Sequence, residues 1–364
     1  MIPLQLKVQT AAHAEPLVFR LRNDEHATDI LTGKDAVLKS RSGHLAYYDL
    51  DGREIQVALP PGETCGNDVV MVLPGRSTAH RLIRSASRHN TLLVTEQCDQ
   101  LCVMCSQPPK ASHNDLFRPF FDACLLAPRE AVIGISGGEP LLHKARLFDF
   151  LFMVHLNRPD LHFHVLTNAQ HLEETDLDFL RQLDQSKITW GVPVYASSAE
   201  IHDRIVGKVG AYATLQSGLT ILAKAGARIE LRTVVLRSNL GALGALARTI
   251  ATRFPYCTVW AIMHLENIGY GRKNWQLEFA DTSTDFVAVK AGIDVALAFG
   301  IDVALYNFPL CTVPSNYRIY CCASISDWKQ KFLPECDHCI AQHTCCGFFE
   351  WYPEDRGFER VQRL

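Results

Sequence analysis

Cys98-Asp99-Gln100-Leu101-Cys102-Val103-Met104-Cys105 sets three thiols at the spacing C-x3-C-x2-C. The run from Asn90 to Glu96 just before it is apolar and β-branched and reads as a strand, so the thiols lie on the loop that leaves it. Three thiolates on one loop can hold three irons of a 4Fe–4S cube. The fourth iron is then open to a chelating small molecule. Structural zinc closes with four ligands and a disulfide framework needs even pairing, so neither suits three thiols.

The rest of the composition is that of an ordinary globular chain. It has 364 residues, of which 48% are hydrophobic and 21% charged, enough for one large or several modest domains. A formal net charge of −3 gives no electrostatic case for nucleic acid or an anionic membrane. No apolar run reaches the length of a transmembrane helix, and the first residues lack a basic-then-apolar signal. The expectation is a cytoplasmic protein. Thiols stay reduced in that compartment, so thirteen cysteines, an odd number and clustered, point to metal ligation.

Upstream of the thiol loop, residues 1–88 carry short β-branched or aromatic runs broken by turns. Candidate strands are Leu17 to Leu21, Leu45 to Tyr48, Ile55 to Val57 and Val69 to Leu73. Asp51-Gly52 signals a hairpin, and Pro60-Pro61-Gly62 a second break. These residues read as a small, mainly β domain, and Arg76 to His89 as a solvated basic face at its boundary. Downstream, strands alternate with helical stretches, the mark of a parallel sheet of βα units. The strands begin near Val132, His162, Ile188, Ile229 and Thr258. The helices are read over Leu147 to Leu156, Thr175 to Leu183, Ala213 to Ala225 and Leu240 to Phe254. A further helix from Phe286 to Phe299 and a strand from Asp302 to Tyr306 lead into a cysteine-rich tail.

The strand after the thiol loop ends in Ser136-Gly137-Gly138-Glu139-Pro140. Paired glycines let backbone approach a ligand that a Cβ would block, and Glu139 offers a carboxylate to a cation. The thiol loop followed one βα unit later by this turn resembles the signature of the radical S-adenosylmethionine (SAM) enzymes. The resemblance implies an α/β fold, a partial (β/α)6 barrel, with SAM chelating the open iron and cleaved to a 5′-deoxyadenosyl radical. It gives Cys98, Cys102 and Cys105 the cluster, Met104 a backbone contact to adenine, and Ser136 to Pro140 the SAM ammonium. Thr167 and Asn168, at the end of the third strand, take the ribose. Met104 stands where the family usually has an aromatic residue. The Ser and Arg that often hold the SAM carboxylate are replaced by Pro193-Val-Tyr195 and Gln216-Ser217. Arg232 is a candidate for the missing cation, since guanidinium pairs a carboxylate bidentately.

Seven of the thirteen cysteines lie in the tail. Cys336-x2-Cys339-x5-Cys345, with Cys311 upstream, resembles the auxiliary-cluster (SPASM and twitch) segments of peptide-modifying radical SAM enzymes. Four thiolates, most simply Cys311, Cys336, Cys339 and Cys345, would close a second, auxiliary 4Fe–4S cluster. Cys346 competes with Cys345, and Cys321 or Cys322 with Cys311. Four-cysteine zinc is the plainer alternative. Cys65, Cys124 and Cys257 read as ordinary buried thiols. The expected domains are 1–88 (β), 89–285 (partial barrel) and 286–364 (auxiliary cluster).

Thr95-Glu-Gln-Cys98, Met104-Cys-Ser-Gln-Pro-Pro-Lys110 and Ile325-Ser-Asp-Trp-Lys329 narrow the resemblance to the radical SAM maturases of the His-Xaa-Ser system (HxsC). That resemblance implies a ribosomal peptide substrate with His-Xaa-Ser repeats, a partner radical SAM maturase and small accessory proteins. It also implies an electron donor such as flavodoxin or ferredoxin. A radical SAM enzyme acting on a small molecule, nucleoside or tetrapyrrole, is the alternative. A non-catalytic zinc or iron–sulfur scaffold is the third reading, and a SAM turn argues against it.

Overall fold

The structure is a computed structural model that describes residues 2–23, 33–60 and 62–364. Seven strands open the chain: β1 (Gln5–Thr10), β2 (Leu17–Arg22), β3 (Asp35–Ser42), β4 (Leu45–Leu50), β5 (Arg53–Ala58), β6 (Val69–Val72) and β7 (Thr78–Ile83). They close into a barrel in the order β1-β5-β4-β3-β2-β6-β7, with β7 returning to β1. Alternation builds it: Leu6 and Val8, Ala46, Tyr48 and Leu50, and Ile55 and Val57 all point to one buried core. Asp51 and Gly52 both take positive φ, 51° and 77°, and join Leu50 to Arg53 as the hairpin expected there. At the break expected at Pro60-Pro61-Gly62, Pro61 lies outside the described residues, while the Glu63 N–H donates to the Pro60 carbonyl at 3.1 Å and Gly62 takes a φ of 76°.

The basic stretch differs from its reading. Thr78–Ile83 inside it is a strand, and Arg81 points inward with a side chain only 1% exposed. Asp68 and Glu63, each 2.6 Å away, neutralise it. A guanidinium can be buried here because two carboxylates fold in with it, and both come from distant positions that carry no local signal.

The second sheet has eight strands, β8 (Asn90–Thr95), β9 (Val132–Gly137), β10 (His162–Leu166), β11 (Ile188–Pro193), β12 (Arg228–Val234), β13 (Cys257–Met263), β14 (Val303–Tyr306) and β15 (Cys321–Cys322). Spatial order follows chain order without closing, the open partial barrel expected from the sequence, with β14 and β15 added beyond six strands. Pairing is parallel from β11 through to β15. Helices Lys144–Asn157, Ala211–Lys224, Leu243–Arg253 and Val287–Ala298 fill the crossovers close to their expected bounds. The helix expected over Thr175 to Leu183 shrinks to Leu177–Leu180. Asp176 spends its carboxylate on the Glu173 N–H in front of it, and the Gln185 amide takes the Leu180 carbonyl behind.

The chain divides into two compact units. One comprises Met1–Val94, Asn114–Ile135 and Ala145–Phe163; the other comprises Thr95–His113, Ser136–Lys144 and His164–Leu364. Every residue of the candidate site belongs to the second. Among the described residues no helix is long and apolar enough to cross a membrane.

Candidate functional site

The thiol loop and the glycine turn are built against each other. Gly138 donates to the Thr95 carbonyl and Glu139 to the Gln97 carbonyl, both at 2.8 Å. A Cβ on Gly137 (φ +149°) would stand 2.1 Å from Thr95 O, and one on Gly138 would stand 2.0 Å from Gln97 O. Only glycines permit this contact. On its other side the loop is laced to the rest of the unit. Leu101 and Val103 donate to Val206 and Ile205, each at 2.9 Å, and the Asn274 amide reaches Val103 O at 2.8 Å. Met104 is buried in an apolar cluster with Tyr195, Leu265 and Trp275.

Glu139 is 1% exposed, and its carboxylate takes three protein donors. These are the Thr167 hydroxyl at 2.5 Å, the Asn168 N–H at 2.6 Å and the Leu141 N–H at 2.8 Å. Burial pushes its carboxyl up, and the three donors work against that rise. The expected ammonium partner is thus also the tie that fixes the ribose pair Thr167–Asn168 to the turn. Asn168 passes the network on, donating from Nδ2 to Asp99 at 3.1 Å. Asp99, between the first two thiols, also receives His171 Nε2 at 3.1 Å and the Lys208 ammonium. Burial alone would raise Asp99, but its His171 and Lys208 hydrogen bonds outweigh it and hold the carboxyl well below the usual range. The Asp99 bond raises His171 in turn. Asp99, His171 and Lys208 were not among the sequence candidates.

Cys98, Cys102 and Cys105 are all partly buried, and Cys102 lies within electrostatic reach of both others. Burial pushes Cys98 to about 11 and Cys102 to about 12, so each keeps its proton until a metal displaces it. Among the described residues no three Cys, His, Asp or Glu side chains converge on a single ion. A cube does not require such convergence, since each thiolate bonds its own iron. The three thiols, closely spaced on a braced loop, fit that group.

In the tail, Cys311, Cys336 and Cys345 lie within electrostatic reach of one another, with Cys339 beside Cys336. Backbone N–H groups point at all four sulfurs. Leu310 and Gly347 donate to Cys345 Sγ and Leu364 to Cys339 Sγ, each at 3.4 Å. Gln362 serves Cys311, and Leu333 serves Cys336. Cys346 differs: it is buried, and its single S–H lies within hydrogen-bond reach of both the Gly347 carbonyl, at 3.3 Å, and the Cys345 sulfur. That bond, with the two N–H groups, draws Cys345 down to about 6, while Cys346 rises well above the ordinary thiol value. Four sulfurs prepared as acceptors fit a second cluster. Cys321 lies within reach of Cys345, and Cys322 pairs in register with Tyr306 on the neighbouring strand. Cys65 and Cys124 are fully buried and Cys257 partly so.

Arg232 lies on β12, where its guanidinium bonds Glu230 of the same strand and the Met263 sulfur at 3.2 Å.

No family model matches the sequence. Streptococcus suis SuiB bound to S-adenosylmethionine aligns in structure with a TM-score of 0.50 at 13% identity, over 61% of this chain and 51% of SuiB. SuiB bound to its precursor peptide SuiA aligns with a TM-score of 0.49 at 12% identity, over 61% of this chain and 49% of that one. In sequence, the GTP 3′,8-cyclase of Nautilia profundicola (strain ATCC BAA-1463 / DSM 18972 / AmH) is 29% identical over 154 residues, which are 40% of this chain and 46% of the cyclase. The chain thus spans about half the length of SuiB and of the cyclase. The likeness to SAM-bound SuiB is one of fold, here an open α/β sheet followed by a cysteine-rich region.

Proposed function

We propose, from a chain that carries the radical SAM fold with three thiols on the loop after β8, that it is a radical SAM enzyme modifying a ribosomally made peptide. One observation carries the chemistry: the Cys98–Cys105 loop shares a single hydrogen-bond network with the Gly137–Gly138 turn and Thr167–Asn168. Cys98, Cys102 and Cys105 would hold a 4Fe–4S cluster and leave one iron to SAM. When bound, the cluster supplies the electron that cleaves SAM to a 5′-deoxyadenosyl radical.

The chain's own residues do the rest. The turn presents backbone from Ser136 to Pro140 for the SAM ammonium, with the Glu139 carboxylate held beneath it. Thr167 and Asn168 are oriented for the ribose by that same carboxylate. Asp99 keeps the thiol loop in register with both. The tail supports a peptide as substrate: Cys311, Cys336, Cys339 and Cys345 would hold an auxiliary cluster that is closed to substrate and serves electron transfer or the fold. The phrases Thr95 to Cys98, Met104 to Lys110 and Ile325 to Lys329 narrow the peptide to one with His-Xaa-Ser repeats, with a partner maturase and a flavodoxin- or ferredoxin-type donor.

A nucleotide substrate is the second reading, favoured by the sequence match to the cyclase. Anaerobic reconstitution followed by assay of 5′-deoxyadenosine separates the two. Formation stimulated by a His-Xaa-Ser peptide supports the first, and stimulation by GTP supports the second. No 5′-deoxyadenosine under any condition would reject both.

A further inference from the structure

On β12 the residues alternate between two faces. Ile229, Leu231 and Thr233 are wholly buried on one, while Glu230 and Arg232 point to the other. His164 of β10 and Tyr306 of β14 point to that second face too. Between β10 and β12 runs β11, whose residue in register with Glu230 is Gly191. A Cβ there would stand 2.8 Å from His164 Nε2 and 3.1 Å from Arg232 Cδ. The bare position lets imidazole, carboxylate, guanidinium and phenol gather across the sheet.

The cluster is not satisfied within itself. Arg232 holds Glu230 with one nitrogen, but the other is turned to the Met263 thioether, a weak acceptor. His164 Nε2 lies 3.4 Å from Glu230 without closing a well-aligned hydrogen bond, and that buried nitrogen has no other partner. The Tyr306 hydroxyl reaches Glu230 only at 3.4 Å. A buried polar atom without a partner in a folded chain calls for an explanation, and a bound group is one. Two of the side chains are reachable, His164 at 28% and Arg232 at 19% exposed, and Glu230 lies beneath them at 6%. Arg232 is in register with Pro193 of β11, and its carbonyl takes the Val194 N–H at 2.9 Å; the next residue, Tyr195, packs in one cluster with Met104 and Cys102 of the thiol loop.

We propose that His164, Glu230, Arg232 and Tyr306 form a substrate subsite that reads a neutral amide, a peptide bond or side-chain carboxamide. A carbonyl replaces the thioether as acceptor for Arg232, and the amide N–H finds its acceptor in Glu230, which the His164 ring flanks. The charges on Glu230 and Arg232 cancel, so a polyphosphate would enter against a carboxylate with no surplus cation in the cluster to receive it. This subsite rests on the peptide-modifying reading and gives it a recognition site.

The test uses the anaerobically reconstituted full chain with SAM bound. The probes are a capped peptide of three His-Ala-Ser repeats and, separately, GTP. Wild type should bind the peptide, and Glu230→Gln and Arg232→Gln should each weaken it by about tenfold or more, with SAM affinity in Glu230→Gln staying within about twofold. Tyr306→Phe, the mildest change, should weaken the peptide by about threefold and carries the test if Arg232→Gln also disturbs SAM. Peptide affinity unchanged in all three variants overturns the subsite and leaves the peptide reading standing. A wild type that binds SAM and GTP, or SAM and neither probe, overturns the amide assignment. A wild type that binds no SAM overturns the radical SAM reading itself.

Discussion

The two cysteine nests of this chain are held by opposite means. The first lies on a loop braced by charged and polar side chains, with Asp99 drawing in Asn168, His171 and Lys208. In the second, N–H groups of Leu310, Gly347 and Leu364 point at sulfur, over a floor of aromatic rings, Phe348, Tyr352 and Phe358, that belongs to the same apolar cluster as Met104 of the first. Under the proposed ligation three thiols leave one iron open in the first nest and four leave none in the second, while the thiols of both nests are partly buried alike.

The largest effect is expected where the open nest is emptied. Replacing Cys98, Cys102 and Cys105 together by Ala should remove about half of roughly eight irons and all SAM cleavage, read by iron content and 5′-deoxyadenosine. Iron unchanged in that variant breaks the comparison at once. Next, Cys345→Ala should lose the tail's iron yet still cleave SAM, while Cys346→Ala should keep both clusters, because its thiol is a donor beside the site. An iron series in which Cys346 is the one required, or zinc found in the tail, would reverse that assignment.

A smaller effect comes from Glu139→Gln, which puts an amide N–H against one of three protein donors. Loss of a charge-assisted bond of this kind is worth roughly 1.5–3 kcal/mol, so SAM affinity should fall about tenfold or more with iron content intact. Iron lost with SAM affinity preserved would make Glu139 purely structural. The smallest effect sharpens the contrast through pH. His264 lies among Phe279, Phe308 and Phe358, and burial draws it down to about 4. In the unfolded chain it binds a proton near its ordinary value of about 6.5, so between there and about pH 4 the unfolded state holds the extra proton. Stability of the apo chain should therefore fall on acidification across that window. His264→Gln should flatten the fall in denaturant titrations. An unchanged slope would show that the aromatic floor tolerates the charge.

The sequence carries the open nest in the clear because its parts are local. Three thiols on one loop and two glycines at one turn are written as consecutive residues, and the parallel strands announce themselves by apolar runs. Asp99 was in view, but its partners were not: His171 is 72 and Lys208 is 109 positions away, and a salt bridge leaves no periodic trace. Strands β1, β3 and β7 escaped for a related reason. Gln5, Lys7 and Gln9 of β1 and the second half of β3 are polar and exposed, and β7 carries Thr78, His80 and Arg81 among its apolar residues, so no apolar run marks any of the three. In the tail the x5 spacing from Cys339 favours Cys345 over Cys346, and the backbone N–H groups turned to Cys345 Sγ point the same way.

The return of β7 to β1 has a consequence for recognition. A sheet with a free edge can capture a peptide by adding it as one more strand, reading the main chain first and side chains second. A closed barrel has spent those edge groups on itself. Among its described residues, every strand of this module has a neighbour on both sides, which leaves no whole edge for a peptide to join. A peptide brought to this module must be distinguished by what its side chains offer to the loops and outer face, and its specificity will be written in sequence rather than in extended shape.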